Sequence, residues 1–256
     1  MITISYKDPE GLLKTIDSTR SQVGSFDIEH LVVDGGSGTT VENLLSLHEG
    51  GPSNMQWSSE PDEGRYDAMN KGISRARGDL LWFMHSTDRF GSTDAIQQVL
   101  DACQDPRKSW GYGFARLVNN DGQLQGLFGE APFNLHKFAL GYKSVPHQAC
   151  FFGRDVIAAL GPYDTDFGLA ADQLYILRAV LVQPPIVVPE LVCDFDTSGA
   201  GTGRSSWSHF GDMARARRMV GLTFFGNLAL DRAATFALSL NATLRSKLTK
   251  YLSNIN

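Results

Sequence analysis

The chain has 256 residues, 42% hydrophobic and 20% charged, which suits one large α/β domain with a real core, or such a domain with a small appendage. Its formal net charge of −5 argues against general nucleic-acid binding, which needs a basic surface. Three widely spaced cysteines, Cys103, Cys150 and Cys193, make neither a disulfide framework nor a zinc motif and read as buried free thiols of a reducing compartment. Met1 to Tyr6 lacks the basic head and long apolar run of a secretion signal. The segment Ile2 to Tyr6 reads instead as a strand.

Pro9 to Gln22 reads as a helix, with Asp8 as its N-cap and Pro9 at its first position. His30 to Asp34 is a second strand that ends in a Gly35-Gly36 turn, and Met55 to Ser59 a short third. Tyr66 to Arg77 has helical periodicity and stops at Gly78; Leu80 to Met84 is a fully apolar fourth strand. This alternation predicts a mostly parallel central sheet flanked by helices, with ligands beyond the carboxyl ends of the strands. In the second half, Trp110 to Val118 and Gln123 to Phe128 flank the hairpin signal Asn119-Asn120-Asp121-Gly122. Ala149 to Phe152 and Ile186 to Cys193 are further strand candidates, the latter broken by Pro189. Ala170 to Val182 is helix-like and stops before Pro184-Pro185; Gly199 to Ser206 reads as a loop; Trp207 to the C-terminus reads as helical.

Polar residues stand where the strands end: Tyr6, Asp34, Glu60 with Asp62, and Asp88. Any one of these acids is equally well explained by turn chemistry. A row of them at one sheet edge points to a ligand site.

The run Ser59-Glu60-Pro61-Asp62-Glu63-Gly64-Arg65-Tyr66-Asp67-Ala68-Met69-Asn70-Lys71-Gly72-Ile73 resembles the bacterial family 2 glycosyltransferases of the GT-A fold. Gly78 to Asp88 is similar to the family segment that ends in a metal-binding aspartate, and Val32 to Ser37 to its strand-two turn. The resemblance is nearly continuous over residues 2 to 88 and weaker to about residue 200. It also has the look of small phenolic-glycolipid sugar transferases. It implies an inverting enzyme that moves a sugar from a nucleoside diphosphate sugar to a hydroxyl of a lipid-linked or other glycan acceptor, on the cytoplasmic side of the cell.

The resemblance implies roles residue by residue. Tyr6 would stack on the base and Asp34 accept a hydrogen bond from it; a half-buried strand-end aromatic is the rival reading of Tyr6. Asp62, Asp67, Asn70 and Lys71, with Ser86, would line the ribose and phosphate side. Asp67, Asn70 and Lys71 are three or four apart and share one helix face, which a solvated amphipathic face would also explain. Arg65 replaces the family's usual apolar residue and is either a phosphate contact or merely exposed. Asp88 matches the last aspartate of the metal motif, where Mg²⁺ or Mn²⁺ would neutralise the leaving diphosphate. His85, Ser86 and Thr87 replace the earlier acids, which weakens that motif. Asp172 matches the catalytic base, with Ala171 in place of a glutamate; from spacing alone Asp172 is an N-cap. His147-Gln148 resembles a segment near the acceptor or donor sugar, and a structural histidine is the alternative. His209 is a minor metal candidate, and the loop at Gly201-Thr202-Gly203 is placed like the family's mobile loop over the donor.

The domain reading is 1–205 as the catalytic domain, with 1–90 the nucleotide half and 91–205 the acceptor half, and 206–256 as a helical tail. That tail is apolar and basic, and Asp231-Arg232 interrupts it as a membrane span. It fits peripheral contact with the inner face of the plasma membrane, or packing on the domain or on a second copy in a homo-oligomer. Two rival functions stand beside the transferase. One is a degenerate scaffold subunit, kept alive by the thinned metal motif and Ala171. The other is a sugar nucleotidyltransferase, which wants a glycine-rich basic loop that Tyr6-Lys7-Asp8-Pro9 does not supply.

Overall fold

The computed structural model describes residues 1–119, 121–197 and 204–253. The turn residue Asn120 and the loop at 201–203 lie outside them. The first half is β1 (Ile2–Ser5), α1 (Pro9–Arg20), β2 (Leu31–Asp34), α2 (Thr39–His48), β3 (Gln56–Ser59), α3 (Arg65–Arg75), β4 (Leu80–His85) and β5 (Arg89–Phe90). The second half is α4 (Ala95–Ala102), β6 (Trp110–Val118), β7 (Leu124–Phe128), α5 (Leu135–Ala139), β8 (Cys150–Gly153), α6 (Arg154–Leu160), α7 (Ala171–Val182), β9 (Ile186–Asp196), α8 (Ser206–Met219) and α9 (Leu228–Ser253). The helices α2, α4, α5 and α6 and the short strand β5 are additions to the sequence-based expectation.

Among the described residues the strands form one sheet in the order β3-β2-β1-β4-β8-β6-β9-β5, with β7 on β6. The first four strands are parallel, as the βα alternation requires. Beyond β4 the sheet becomes mixed: β8 runs antiparallel to both β4 and β6, while β9 is parallel to β6. Two reversals return β6 and β9 to the direction of β4, so their carboxyl ends point to the same edge. Pro189 does not break β9. Two extra residues bulge out between the pairs Tyr112–Val187 and Phe114–Leu191, which lifts a residue without an N–H out of the ladder.

Strand periodicity sorts the core. Ile2, Ile4, Leu31 and Val33 pack on α3 through Tyr66 and Met69. Val32 faces the other way, onto Leu12, Ile16, Val41 and Leu45 of α1 and α2. Helix α3 lies close to the sheet because Gly72 has no side chain: a Cβ there would stand 2.5 Å from Ile2 Cγ2. Asp8 caps α1 by accepting from Gly11 N at 3.0 Å, with Pro9 at the first position. The register Ser5–Asp34–Ser59, with Ile4 beside His85, sets the carboxyl ends of β1 to β4 level with one another. The helical tail is two helices, α8 and α9, with residues 220–227 between them.

Candidate functional site

At the level edge of the sheet the chain builds a shelf and, beside it, a cavity. The shelf starts at Tyr6, which is 60% exposed just past β1. Lys7 lies over its ring with Nζ 4.9 Å from the centroid. Asp34 is fully buried. Its carboxylate accepts from Ser37 N at 2.8 Å, Ser37 Oγ at 2.5 Å and Ser59 Oγ at 2.7 Å. Most of its acceptor capacity is therefore committed to tying the glycine turn to β3. Gly35 separates Tyr6 from Asp62: an added Cβ would meet Asp62 Oδ2 at 2.6 Å and Tyr6 Cδ2 at 3.1 Å. Asp62 Oδ1 accepts from Gly64 N at 2.8 Å, and Gly64 opens α3 at a φ of +115°, where only glycine is unstrained.

Helix α3 does not present its polar residues as one row. Lys71 Nζ donates to Pro61 O at 2.9 Å and pairs with Asp67 at 3.3 Å and Glu60 at 3.5 Å. Asn70 points elsewhere. Its Nδ2 donates to Tyr163 O at 2.9 Å and its Oδ1 accepts from Tyr163 N at 2.8 Å. Both amide atoms clamp a loop of the second half, so Asn70 leaves the face that Asp67 and Lys71 share.

The cavity, of about 370 Å³, is lined by Arg65, Ser86, Asp88, His147, Gln148 and Asp172, together with Asp196, Arg204 and His209. A larger hollow of about 520 Å³ opens at the opposite ends of β1 and β4, around Met1, Phe26 and Leu80. Convergent carboxyl ends favour the smaller one as the ligand site.

Asp88 follows β4 in a turn held by α1: Thr15 Oγ1 donates to Asp88 O at 2.8 Å and to His85 O at 3.2 Å. Thr87 takes a φ of +82° to make that turn, a region costly for a β-branched residue and often found at functional sites. The Asp88 carboxylate accepts from His85 N and Asp196 N, both at 3.1 Å. Burial pushes its pKa up to about 7 and the charge of Asp196 adds to the rise, while those N–H groups and the Gln148 amide oppose it. His85 is buried, which lowers its pKa to about 3 and keeps the ring neutral, with Arg65 and His147 acting in the same direction. Its Nδ1 lies 3.5 Å from Gln148 Nε2, and its Nε2 is buried without a protein partner. His147 is neutral for the same reason, lowered by burial to about 3. Its Nε2 meets the Tyr163 hydroxyl at 2.8 Å.

Asp172 is the second residue of α7, not its cap; Ala170 occupies the cap and makes no side-chain bond there. The carboxylate accepts from Gln173 N at 2.7 Å. Burial raises its pKa above the usual carboxylate range, partly offset by the Gln173 bonds and by the positive charge of Arg65. Tyr66 donates its hydroxyl to Leu169 O at 2.9 Å beside it, and its phenol is pushed up by burial and by the Asp172 charge.

Two lining residues, Asp196 and Arg204, escape the sequence reading. Asp196 ends β9 and was missed because that strand was expected to stop at Cys193. Arg204 pairs with Asp212 at the mouth. Arg65, left open between contact and exposure, reaches the cavity from the first turn of α3. His209 turns its Nε2 to Gly141 O at 2.8 Å, so that nitrogen is engaged with the backbone.

The donor set fits a hard divalent cation. Asp88 and Asp196 are both buried carboxylates on one wall, and a buried like-charged pair favours a cation with oxygen ligands. Among the described residues no cluster of three or more His, Cys, Asp or Glu could hold a metal ion. Mg²⁺-type sites commonly complete their shell with substrate phosphates and water.

Comparison with known proteins agrees with this architecture. The family model "Glycosyl transferase family 2" matches residues 1–152. A Mycobacterium tuberculosis protein named as an uncharacterized glycosyltransferase is 48% identical over 218 residues, covering 84% of this chain and 81% of that protein. A "PGL/p-HBAD biosynthesis glycosyltransferase" of Mycobacterium bovis is 27% identical over 156 residues, covering 59% of this chain and 58% of that protein. Among solved structures, S. aureus TarS 1–349 in complex with UDP superimposes with a TM-score of 0.67 at 16% identity, over 91% of this chain and 68% of that one. The mannosyltransferase PcManGT from Pyrobaculum calidifontis, in complex with GDP-Man and Mn²⁺, does so with a TM-score of 0.59 at 15% identity, over 98% and 84%. With a parallel first half of its sheet, a carboxylate-lined cavity at the carboxyl edge, and a family model spanning more than half its length, the chain belongs to glycosyl transferase family 2 and is a glycosyltransferase of the GT-A fold.

Proposed function

We propose that this glycosyltransferase moves a sugar, with inversion, from a nucleoside diphosphate sugar to a hydroxyl of a glycolipid or other glycan acceptor. The observation that carries the reading is that Asp88 and Asp172, from opposite halves of the chain, line one cavity beside the Tyr6–Asp62 shelf. The structural neighbours crystallised with UDP and with GDP-Man support a nucleotide-sugar donor, and the name of the 27%-identical relative supports a glycolipid acceptor.

In this reading the exposed ring of Tyr6 stacks on the base. Asp34 acts through the glycine turn it ties down, with one remaining acceptor position toward the base. Asp62 faces the ribose, Asp67 and Lys71 hold the loop at 60–62 that carries it, and Asn70 joins that loop's helix to the second half. Ser86 and the guanidinium of Arg65 face the diphosphate. Asp88, with Asp196, would hold Mg²⁺ or Mn²⁺, which when bound supplies positive charge to the leaving diphosphate. Asp172 accepts the proton of the attacking hydroxyl. Burial raises its pKa, and a carboxylate made more basic takes the proton more effectively. His147 and Gln148 form the floor under the transferred sugar, neutral and hydrogen-bonded. Residues 1–205 carry this machinery, and 206–256 form an appended helical segment.

The test is calorimetric titration with UDP, GDP and dTDP, each with and without Mn²⁺, followed by transfer assays. One nucleotide should bind more tightly with metal, and less so in Asp88→Ala. Asp172→Asn should keep that binding and lose transfer by about a thousandfold or more. Failure of all three nucleotides to bind the folded protein would remove the donor assignment.

A further inference from the structure

Helix α9 has its amphipathicity turned outward. Phe236, Leu240, Leu244 and Leu248 recur every fourth residue and are 58%, 41%, 57% and 59% exposed. They form one continuous stripe of roughly 18 Å at helical rise. The adjoining side, which packs on α8, is polar. Asp231 is fully buried there and accepts from Arg217 Nε at 2.8 Å, while Arg217 also donates to Ala139 O and Thr235 Oγ1. Thr235, Ser239 and Thr243 continue this inner face, each hydroxyl satisfied by the carbonyl four residues earlier. A helix that keeps its hydroxyls inside and its leucines outside leaves the apolar stripe for something else to cover.

Charge decides what covers it. Residues 206–256 contain seven Lys or Arg and two Asp or Glu, so they carry +5, while the chain as a whole carries −5 and residues 1–205 therefore −10. On α9 the one acid, Asp231, is buried in its ion pair, so the exposed charges among the described side chains are the cations Arg232, Arg245 and Lys247. A symmetric copy of this helix would bring like charges together. An anionic bilayer surface takes the leucines into its interface and the cations at its headgroups, with the acidic body held away. No helix among the described residues is long and apolar enough to cross a membrane, so the contact is one of lying on the surface. Trp207 extends the stripe onto α8, its ring edge-on to Phe236 at 5.4 Å. Two residues further on, His209 lines the cavity. The apolar stripe and the wall of the site thus belong to one helix pair.

We propose that α9 is a monotopic docking face for anionic phospholipid bilayers, which sets the cavity mouth beside the membrane. The surface stands apart from the donor and base assignments, and nucleotide titration of the same variants reports on those separately. The experiment is co-sedimentation of the full chain with vesicles of phosphatidylcholine, and with vesicles of an equimolar phosphatidylcholine–phosphatidylglycerol mixture. Binding to the anionic vesicles should exceed that to the neutral ones by about tenfold and fall in high salt. The double variant Leu240→Glu with Leu244→Glu should lose about tenfold of it while keeping its circular dichroism. Leu47→Glu, at an 84% exposed site on α2, should bind as wild type does. The proposal is overturned if folded wild type stays in solution with anionic vesicles, or if the double variant binds equally. It is also overturned if wild type is a dimer that the double variant makes monomeric with no vesicle binding in either, which would assign the stripe to a second copy.

Discussion

Asp196 donates its backbone N–H to Oδ1 of Asp88 at 3.1 Å, across 108 residues of chain. That bond ties the end of β9 to the turn after β4 and gathers two carboxylates onto one wall. It also makes Asp88 a group whose ionisation depends on the fold, because burial beside Asp196 raises its pKa to about 7.

The stability consequence has a definite sign. An unfolded aspartate loses its proton near pH ~4, whereas folded Asp88 holds it to about 7. Between those values the folded state binds more protons, so its stability falls as pH rises, and the full cost is present above about 7. Three units correspond to at most about 4 kcal/mol, lessened by relaxation around the site. Asp88→Asn in metal-free buffer should therefore gain stability over wild type as pH is raised from about 4 to about 8. Denaturant midpoints across that range check it; a difference independent of pH would refute it.

If Asp172 is the base, as proposed, the acid limb of the activity profile should follow its titration. Its raised pKa places that limb above the ordinary carboxylate range, and the charge of Arg65 holds it down in part. Replacing Arg65 with Gln should shift the acid limb of kcat/KM to higher pH and lower the rate at neutral pH. If the profile keeps its position while KM for donor rises, Arg65 acts on the diphosphate alone.

Asn70 is expected to behave as a structural clamp. Asn70→Ala removes both hydrogen bonds to the Tyr163 backbone and should cost about 1–3 kcal/mol, with nucleotide affinity within about twofold of wild type. A fall in affinity at unchanged stability would instead make it a ligand contact.

Gly35 tests the shelf. A methyl at this position stands 2.6 Å from Asp62 Oδ2 and 3.1 Å from Tyr6 Cδ2, so Gly35→Ala must push those side chains apart. Nucleotide affinity should fall by about tenfold, or ~1.4 kcal/mol, with little change in melting temperature. Calorimetry on the variant reads the effect; unaltered affinity would take Tyr6 and Asp62 out of the donor site.

The sequence by itself determined the parallel half of the sheet, because apolar runs closed by glycine turns and separated by capped helices leave few other topologies. It placed Asp34, Asp62 and Asp88 at one edge for the same reason. It also determined the family, since the run from Ser59 to Ile73 is local and dense. Only the tertiary structure decided how that edge is completed. Asn70 looks equivalent to Asp67 and Lys71 by helical spacing, yet it meets Tyr163, 93 residues away, because packing chooses which side of α3 the second half touches. Asp172 reads as a cap from its position near a helix start, and its burial against Tyr66 and Arg65 distinguishes it from one. Asp196 carries no local signal, because its partner is supplied by strands that reverse twice between β4 and β9. The stripe on α9 is legible as leucines every fourth residue, but which side faces solvent is set by the buried Arg217–Asp231 pair. That pair binds the polar side inward because an unpaired buried charge costs more than an exposed leucine.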